Sequence, residues 1–237
     1  MSLLSSLKQE TRFYLEHKLS LIKPADKYTI SKGIFRKYLP SNPVIIDCGS
    51  HDGSDSIALS RIFPKAIIHS FEPVPEIFNR LTEKTHPYKN INCYPLALGD
   101  TDGINEMHIS SKGSDGSSSL LKPSGHLKDH PDVLFKSSIQ VETKKLDTWA
   151  KENNINRVDL LWLDMQGFEF QMLNASPNIL STVRVIHTEI STKETYEGVV
   201  IYKDLRSWLE DKGFRVLKEA IPKGTDMGNV VFVRNTT

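Results

Sequence analysis

Pro43-Val44-Ile45-Ile46-Asp47-Cys48-Gly49-Ser50-His51-Asp52-Gly53 and Ile67-Ile68-His69-Ser70-Phe71-Glu72-Pro73 are the two stretches whose reading decides the fold. Each is an apolar run ending in an acid, and the first continues into glycines. Between them Ile57, Ala58, Ile62 and Phe63 recur at helical spacing over residues 54–63. The unit reads as strand, loop, helix and strand, with a carboxylate at each strand end. Glycines let backbone approach a ligand closely, and an acid ~20 residues further on takes ribose hydroxyls, so the unit suits a nucleoside-containing cofactor.

The same alternation continues outward. Pro75–Thr85 predicts a helix with proline in its first turn, Ile91–Leu98 a strand, and Ile104–Ser110 a short strand after the turn Gly99-Asp100-Thr101-Asp102-Gly103. Ile139–Thr143, Val158–Asp164, Val183–Ile190, Phe214–Leu217 and Val230–Arg234 read as further strands. Leu146–Asn153, a segment from Gly167 through Leu173, and Tyr202–Asp211 read as helices. Strands alternating with helices give an α/β fold with a mostly parallel sheet, whose ligands sit beyond the carboxyl ends of the strands. Asp47, Glu72, Asp100, Asp164 and Glu189 all fall at or just past such ends.

Upstream, Leu3, Leu4, Leu7, Tyr14, Leu15, Leu19 and Ile22 form an apolar stripe over residues 2–22. That helix can lie on the domain's own edge, on a membrane surface, or against a second copy in a homodimer. Lys23-Pro24 breaks it, and residues 27–39 predict another helix with Ile30, Ile34, Phe35, Tyr38 and Leu39 inward. Residues 1–42 are thus expected as an N-terminal helical extension and 43–237 as the main domain. Residues 111–138, rich in Ser and Gly and carrying Ser118, Ser119, His126 and His130, are expected to form a lid over the site.

Bulk composition narrows the function. The 237 residues carry 30 basic and 29 acidic side chains, a net charge of +1. Nucleic acid is a poor partner for such a chain, because phosphate binding needs concentrated positive charge. Two cysteines, Cys48 and Cys93, each in an apolar segment, suggest neither a disulfide framework nor a metal cluster. No apolar run reaches the ~18 residues of a membrane helix, and the start lacks a signal-peptide pattern, so a cytoplasmic location is expected.

Five motifs in order point to a family. They are Asp47-Cys48-Gly49-Ser50-His51-Asp52-Gly53, Phe71-Glu72-Pro73, Ala97-Leu98-Gly99-Asp100, Leu146-Asp147-Thr148-Trp149 and Asp159-Leu160-Leu161-Trp162-Leu163-Asp164-Met165-Gln166-Gly167-Phe168-Glu169. Over residues 43–234 the chain resembles the FkbM family of S-adenosylmethionine-dependent methyltransferases. It departs from the usual pattern at Cys48, His51, Met165 and Gln166. The resemblance implies a three-layer Rossmann-like fold with a seven-stranded sheet whose last strand runs antiparallel. It also implies O-methylation of a sugar, glycan or natural-product hydroxyl, with a small-molecule or glycan acceptor.

Roles follow from that resemblance. Asp47, Gly49, Ser50 and Gly53 would hold the methionine portion of S-adenosyl-L-methionine, Glu72 with Pro73 the ribose, and Asp100 the adenine amino group. Asp164 would meet the cofactor or the acceptor hydroxyl. Asp164, Glu189 and His187 are the candidate bases, His187 because imidazole titrates near neutrality. Asp164 and Glu189 are also the pair able to hold Mg²⁺, although no metal-ligand spacing supports that route. Trp149, Trp162, Trp208 and Tyr196 are expected in the core, or stacked on a ring. An NAD-type oxidoreductase and a non-catalytic binding protein share this layout. The Gly-x-x-x-Gly spacing of Gly49 and Gly53 argues against the former, and the acids at the strand ends against the latter.

Overall fold

A computed structural model describes residues 8, 10–18, 26–111, 115–124 and 134–235 of the chain. Ten strands and six α-helices are arranged about two sheets among these residues. In chain order they are β1 (Val44–Cys48), α1 (Ser54–Ile62), β2 (Ile67–Phe71), α2 (Pro75–Thr85), β3 (Ile91–Tyr94), β4 (Ala97–Leu98), β5 (Gly103–Ser111) and β6 (Leu134–Lys144). There follow α3 (Leu146–Glu152), β7 (Leu160–Leu163), α4 (Glu169–Asn174), α5 (Pro177–Leu180), β8 (Val185–Ser191), α6 (Tyr202–Asp211), β9 (Phe214–Ala220) and β10 (Met227–Arg234).

The main sheet has seven strands in the order β3-β2-β1-β7-β8-β10-β9. Only β10 runs against the others, antiparallel to both β8 and β9. This is the α/β layout that the strand–helix alternation predicts. Neighbouring residues in each strand face opposite layers. Ile46, Leu161, Ile186 and Phe232 enter one core with Trp149 and Met172. Ile45, Leu160, Val185 and Val231 enter the other with Leu59 and Ile62.

Register decides what meets at the carboxyl edge. Cys48 pairs with Phe71 on one side and with Leu163 on the other, and Leu163 pairs with Thr188. The residues that follow these positions are therefore Gly49, Glu72, Asp164 and Glu189, side by side on one edge. A hydrogen bond from Asp164 N to Cys48 O (3.0 Å) closes the β1 and β7 ends together.

Several expectations are corrected. Ile91–Leu98 is not one strand: it breaks at Pro95, which has no N–H to donate, and Ala97–Leu98 joins a separate three-stranded sheet, β4-β6-β5. Residues 134–138, read as lid, belong instead to β6, which pairs along the whole of β5. His126 and His130 lie outside the described residues. The helix expected over 27–39 is only a 3₁₀ turn at Lys32–Lys37, because Ser31 holds an extended backbone (ψ 120°) and Pro40 follows closely. Its apolar residues still pack inward: Ile30, Phe35 and Leu39 share the second core with Ile45 and Trp162. Of the first helix, Glu10–Phe13 is α-helical and Tyr14–Lys18 π-helical. That segment rests on the domain itself, through an ion pair of Glu10 with Arg61, the Arg61 guanidinium over Phe13, and Ser31 Oγ donating to Glu16 O (2.6 Å). Leu3, Leu4, Leu7, Leu19 and Ile22 fall outside the described residues. Among the described residues no helix is long and apolar enough to cross a membrane.

Candidate active site

A cavity of about 250 Å³ opens at the carboxyl edge of β1, β2 and β7. That is near the small end of ligand pockets, which run ~300–1,000 Å³. Its polar wall is Gly49–Asp52, Ser54, Asp55, Glu72 and Asp164; Ile77, Leu98, Met107, Leu120 and Phe168 supply the apolar wall.

The glycine loop is built for close approach. Gly49 has φ +75°, and a Cβ there would stand 1.9 Å from the Asp164 carbonyl oxygen. No residue but glycine fits. Gly53 has φ +80°, and a Cβ would press on Leu81 and Thr85 at 2.8 Å. Gly49 N and Ser50 N both donate to Phe71 O (3.1 and 2.9 Å), which fixes the loop over the end of β2. His51 takes a left-handed conformation (φ +48°), which turns its N–H toward Glu72 Oε2 (3.2 Å).

Glu72 lies across the loop. Its Oε1 accepts from Val74 N (2.8 Å), leaving acceptor capacity on both oxygens. Burial, only partly offset by these two N–H groups, lifts its pKa to about 7. Asp47 sits one layer beneath the cavity and does not line it. It accepts from Ser56 Oγ (2.5 Å), which in turn touches Ser70 Oγ (2.6 Å). Burial and the neighbouring Asp55 raise its pKa to about 7. Asp47 thus braces the loop from below rather than facing a ligand. Asp52, on the rim, is the exception among these acids: burial works to raise it, but hydrogen bonds from Lys84 and Ser54 outweigh that and hold it at about 2.

Beyond β7 stands a second group. Gln166 is left-handed (φ +52°) and buried, and its Nε2 donates to both Asp164 Oδ1 (2.8 Å) and Glu189 Oε2 (2.7 Å). Glu169, in the first turn of α4, accepts from Met165 N (2.9 Å), and burial raises its pKa to about 7. Asp164 opens to the cavity. Desolvation by the surrounding fold still raises its carboxyl above the ordinary range, and the hydrogen bond from Gln166 moderates that rise. Glu189 is raised further, first by burial and then by the charges of Asp164 and Glu169. The pair therefore favours sharing one proton.

Five sequence candidates fall elsewhere. His187 lies under the sheet, its ring stacked on Trp162 (3.5 Å, 1°) and edge-on to Phe35. Burial, with Lys32 nearby, lowers its pKa to about 3. It lines no part of the cavity, so a strand histidine two residues from Glu189 is here a neutral core ring, not a base. Asp100 is exposed and outside the cavity, because the strand before it leaves the main sheet at Pro95. Trp149, Trp162 and Tyr196 are buried and do not face the cavity. Among the described residues no cluster of His, Cys, Asp or Glu is placed to hold a metal ion, and between Asp164 and Glu189 stands the Gln166 amide.

Sequence reading missed most of the apolar wall. Ile77 falls within the predicted helix Pro75–Thr85 and Leu98 at the end of the predicted strand Ile91–Leu98, with no local sign that either faces a ligand. Met107 reaches the cavity through the β5–β6 pairing, which no local pattern announces. Gly116, Ser118 and Leu120 come from the segment before β6 and line the same cavity as Glu72 and Asp164.

The methyltransferase FkbM domain family matches residues 47–216, which span Asp47, Glu72, Asp164, Glu169 and Glu189. The chain belongs to the FkbM methyltransferase family. Across 99% of its length this FkbM methyltransferase is 33% identical to the 2-O-methyltransferase NoeI of Sinorhizobium fredii, covering 95% of that protein. It is 27% identical to the hexuronic acid methyltransferase AglP of Haloferax volcanii, over 62% of this chain and 55% of that one. The crystal structure of methyltransferase FkbM from Methylobacillus flagellatus aligns with a TM-score of 0.51 at 12% identity, covering 81% of this chain and 44% of that one. The last comparison speaks to the fold alone. Family membership makes the chain a methyltransferase and sets aside the oxidoreductase and binding-protein readings.

Proposed function

We propose that this methyltransferase uses S-adenosyl-L-methionine to methylate a hydroxyl of a sugar or glycan. The observation that carries the cofactor is Glu72: a buried carboxylate across the glycine loop, whose described hydrogen bonds come from the His51 and Val74 N–H groups and leave acceptor capacity on both oxygens. A vicinal diol supplies two donors to such a group. Ile77, Leu98, Met107 and Leu120 offer apolar faces for a flat ring, and the unpaired acids suit a ligand carrying ammonium and sulfonium charge. When bound, the cofactor supplies an electrophilic methyl group. The chain's own part is to align and exclude water, which accounts for most of the rate in such reactions.

Asp164 is the residue placed to act on the acceptor. It borders the cavity and accepts from the Gln166 amide. With the cofactor bound, the methyl–sulfur bond would break as the acceptor oxygen takes the methyl group, S-adenosylhomocysteine would be the leaving group, and Asp164 would take the hydroxyl proton, an assistance worth ~10²–10⁴-fold. The sugar acceptor draws support from the names of the two relatives, a 2-O-methyltransferase and a hexuronic acid methyltransferase.

Incubation with methyl-labelled S-adenosylmethionine and a panel of hexoses, deoxysugars and hexuronic acids tests the whole reading. S-adenosylhomocysteine should raise the melting temperature while NADH does not. Absence of any cofactor binding by calorimetry would sink it.

A further inference from the structure

We propose that Gln166 is the positioning residue of the acid pair: its single amide nitrogen takes the place between Asp164 and Glu189 that a cation would otherwise take, and its two oxygens tie the pair to the cavity-lining segment 117–120. The inference deepens the role given to Asp164 above, and rests on it for its catalytic meaning only.

The geometry is as follows. An amide NH₂ has two hydrogens, and here each goes to a different carboxylate, at 2.8 and 2.7 Å. The orientation of the amide is fixed from its other end, where Gln166 Oε1 accepts from Tyr196 OH (3.2 Å). The same tyrosine hydroxyl lies 3.1 Å from Ser117 O. The Gln166 main-chain oxygen accepts from Ser119 Oγ (2.8 Å), and Ser119 Oγ accepts in turn from Leu121 N (3.0 Å). Ser118 and Leu120, on either side of Ser119, line the cavity, as Asp164 does. One residue therefore joins this part of the cavity wall to the acid pair. It does so from a left-handed backbone (φ +52°), which residues other than glycine rarely adopt. A residue that only turned the chain would be served better by glycine or asparagine.

The physical consequence is charge control. Two carboxylates this close repel unless something donates to both. An amide donates without adding charge, so the pair keeps one shared proton and Asp164 keeps an oxygen open to the cavity. The other titratable groups facing the pair are Asp55 from α1, His51 from the glycine loop, Asp47 from β1, Glu169 from α4 and Tyr196 after β8. They are common to the wild type and to any Gln166 variant, and so cancel in the comparison.

The test follows the side-chain carboxyl carbons of Asp164 and Glu189 by NMR through a pH titration of the full chain, without cofactor or acceptor. Asp164→Asn and Glu189→Gln assign the signals. In Gln166→Leu the donors are gone, which disfavours the ionised form. The pair should then titrate about one pH unit higher than in the wild type. Gln166→Asn keeps a residue that tolerates a left-handed backbone but is too short to reach both carboxylates. It should move in the same direction and decides the matter if the leucine variant does not fold. A folded asparagine variant that titrates as the wild type would overturn the proposal, as would an unmoved, folded leucine variant. Because no turnover is measured, a protein that shows the shift but transfers no methyl group would refute the reaction assigned above and leave this proposal standing.

Discussion

Two aspartates flank β7, one buried and one open to the cavity, and they live in opposite conditions. Asp159, just before the strand, is fully buried and clamped by Arg157 Nε (3.1 Å), Arg184 Nε (3.3 Å) and the Val44 N–H (2.9 Å). Asp164, just after it, has an amide donor, a carboxyl neighbour and a cavity. The first is a finished structural joint at the amino edge of the sheet. The second, like Glu72, is a carboxylate that borders the cavity and whose described hydrogen-bond donors are uncharged amide groups. Charge left without a cation inside a fold costs stability, and such groups gather where a ligand completes them.

The comparison breaks most sharply at Gly49, where the two ends of the argument share one atom contact. Gly49→Ala must push its Cβ off the Asp164 carbonyl oxygen, 1.9 Å away, in a left-handed backbone. We expect roughly 3–5 kcal/mol lost from stability in urea unfolding, and loss of measurable cofactor binding in calorimetry. Asp159→Ala removes the clamp and should cost roughly 2–3 kcal/mol, less than a fully buried pair because both arginines are half exposed. Its folded form should bind S-adenosylhomocysteine within about twofold of the wild type. A tenfold loss there would erase the distinction between the two edges.

Glu72→Gln should act in the reverse sense. Cofactor affinity should fall ~10–50-fold, or about 1.4–2.3 kcal/mol, while unfolding in urea changes little or shows a gain. The pH dependence gives the same contrast. Asp47, Glu72 and Glu169 all have folded pKa values raised to about 7, above their unfolded values. Between those values the folded state holds more protons, so stability of the cofactor-free protein is full below about pH 4 and is lost as pH rises toward 7. Melting temperatures from pH 4.5 to 8 should fall along that range, and Glu72→Gln should flatten part of the fall. Cofactor affinity should rise over the same range, because ribose hydroxyls are best accepted by the ionised carboxylate. His187 carries the smallest prediction and the opposite sign. Its pKa is lowered to about 3, so it favours the folded state more as pH rises from about 3 to 6.5. His187→Leu should leave kcat within about threefold and stability within ~1 kcal/mol, by a labelled-methyl assay and urea unfolding.

Much of the edge was legible beforehand. An apolar run ending in Asp47 and Gly49, and another ending in Phe71-Glu72, specify strands whose ends carry loops, because only a strand covered on both faces is continuously apolar. Glu72, Asp164, Gly49 and Ser50 line the cavity as a reader of those runs would place them. His187 and Asp100 were read with the same logic and went elsewhere. A period of two says which residues share a face of a strand; it does not say how far along that face the ligand reaches. Nor does a turn sequence such as Gly99-Asp100-Thr101 reveal that its strand has changed sheets.

The sequence by itself determined the α/β alternation, the family and the acids at the strand ends, because these follow from local periodicity and from residues near one another in the chain. Only the tertiary structure decided which acids face one cavity, because that depends on the register of β1, β2, β7 and β8, set by pairings across more than a hundred residues. It also decided that Gln166, which the sequence shows only as a departure from a familiar motif, stands between Asp164 and Glu189. A pair of hydrogen bonds that joins the β7 end to β8 has no local signature, since each partner is unremarkable until the sheet brings them within 3 Å.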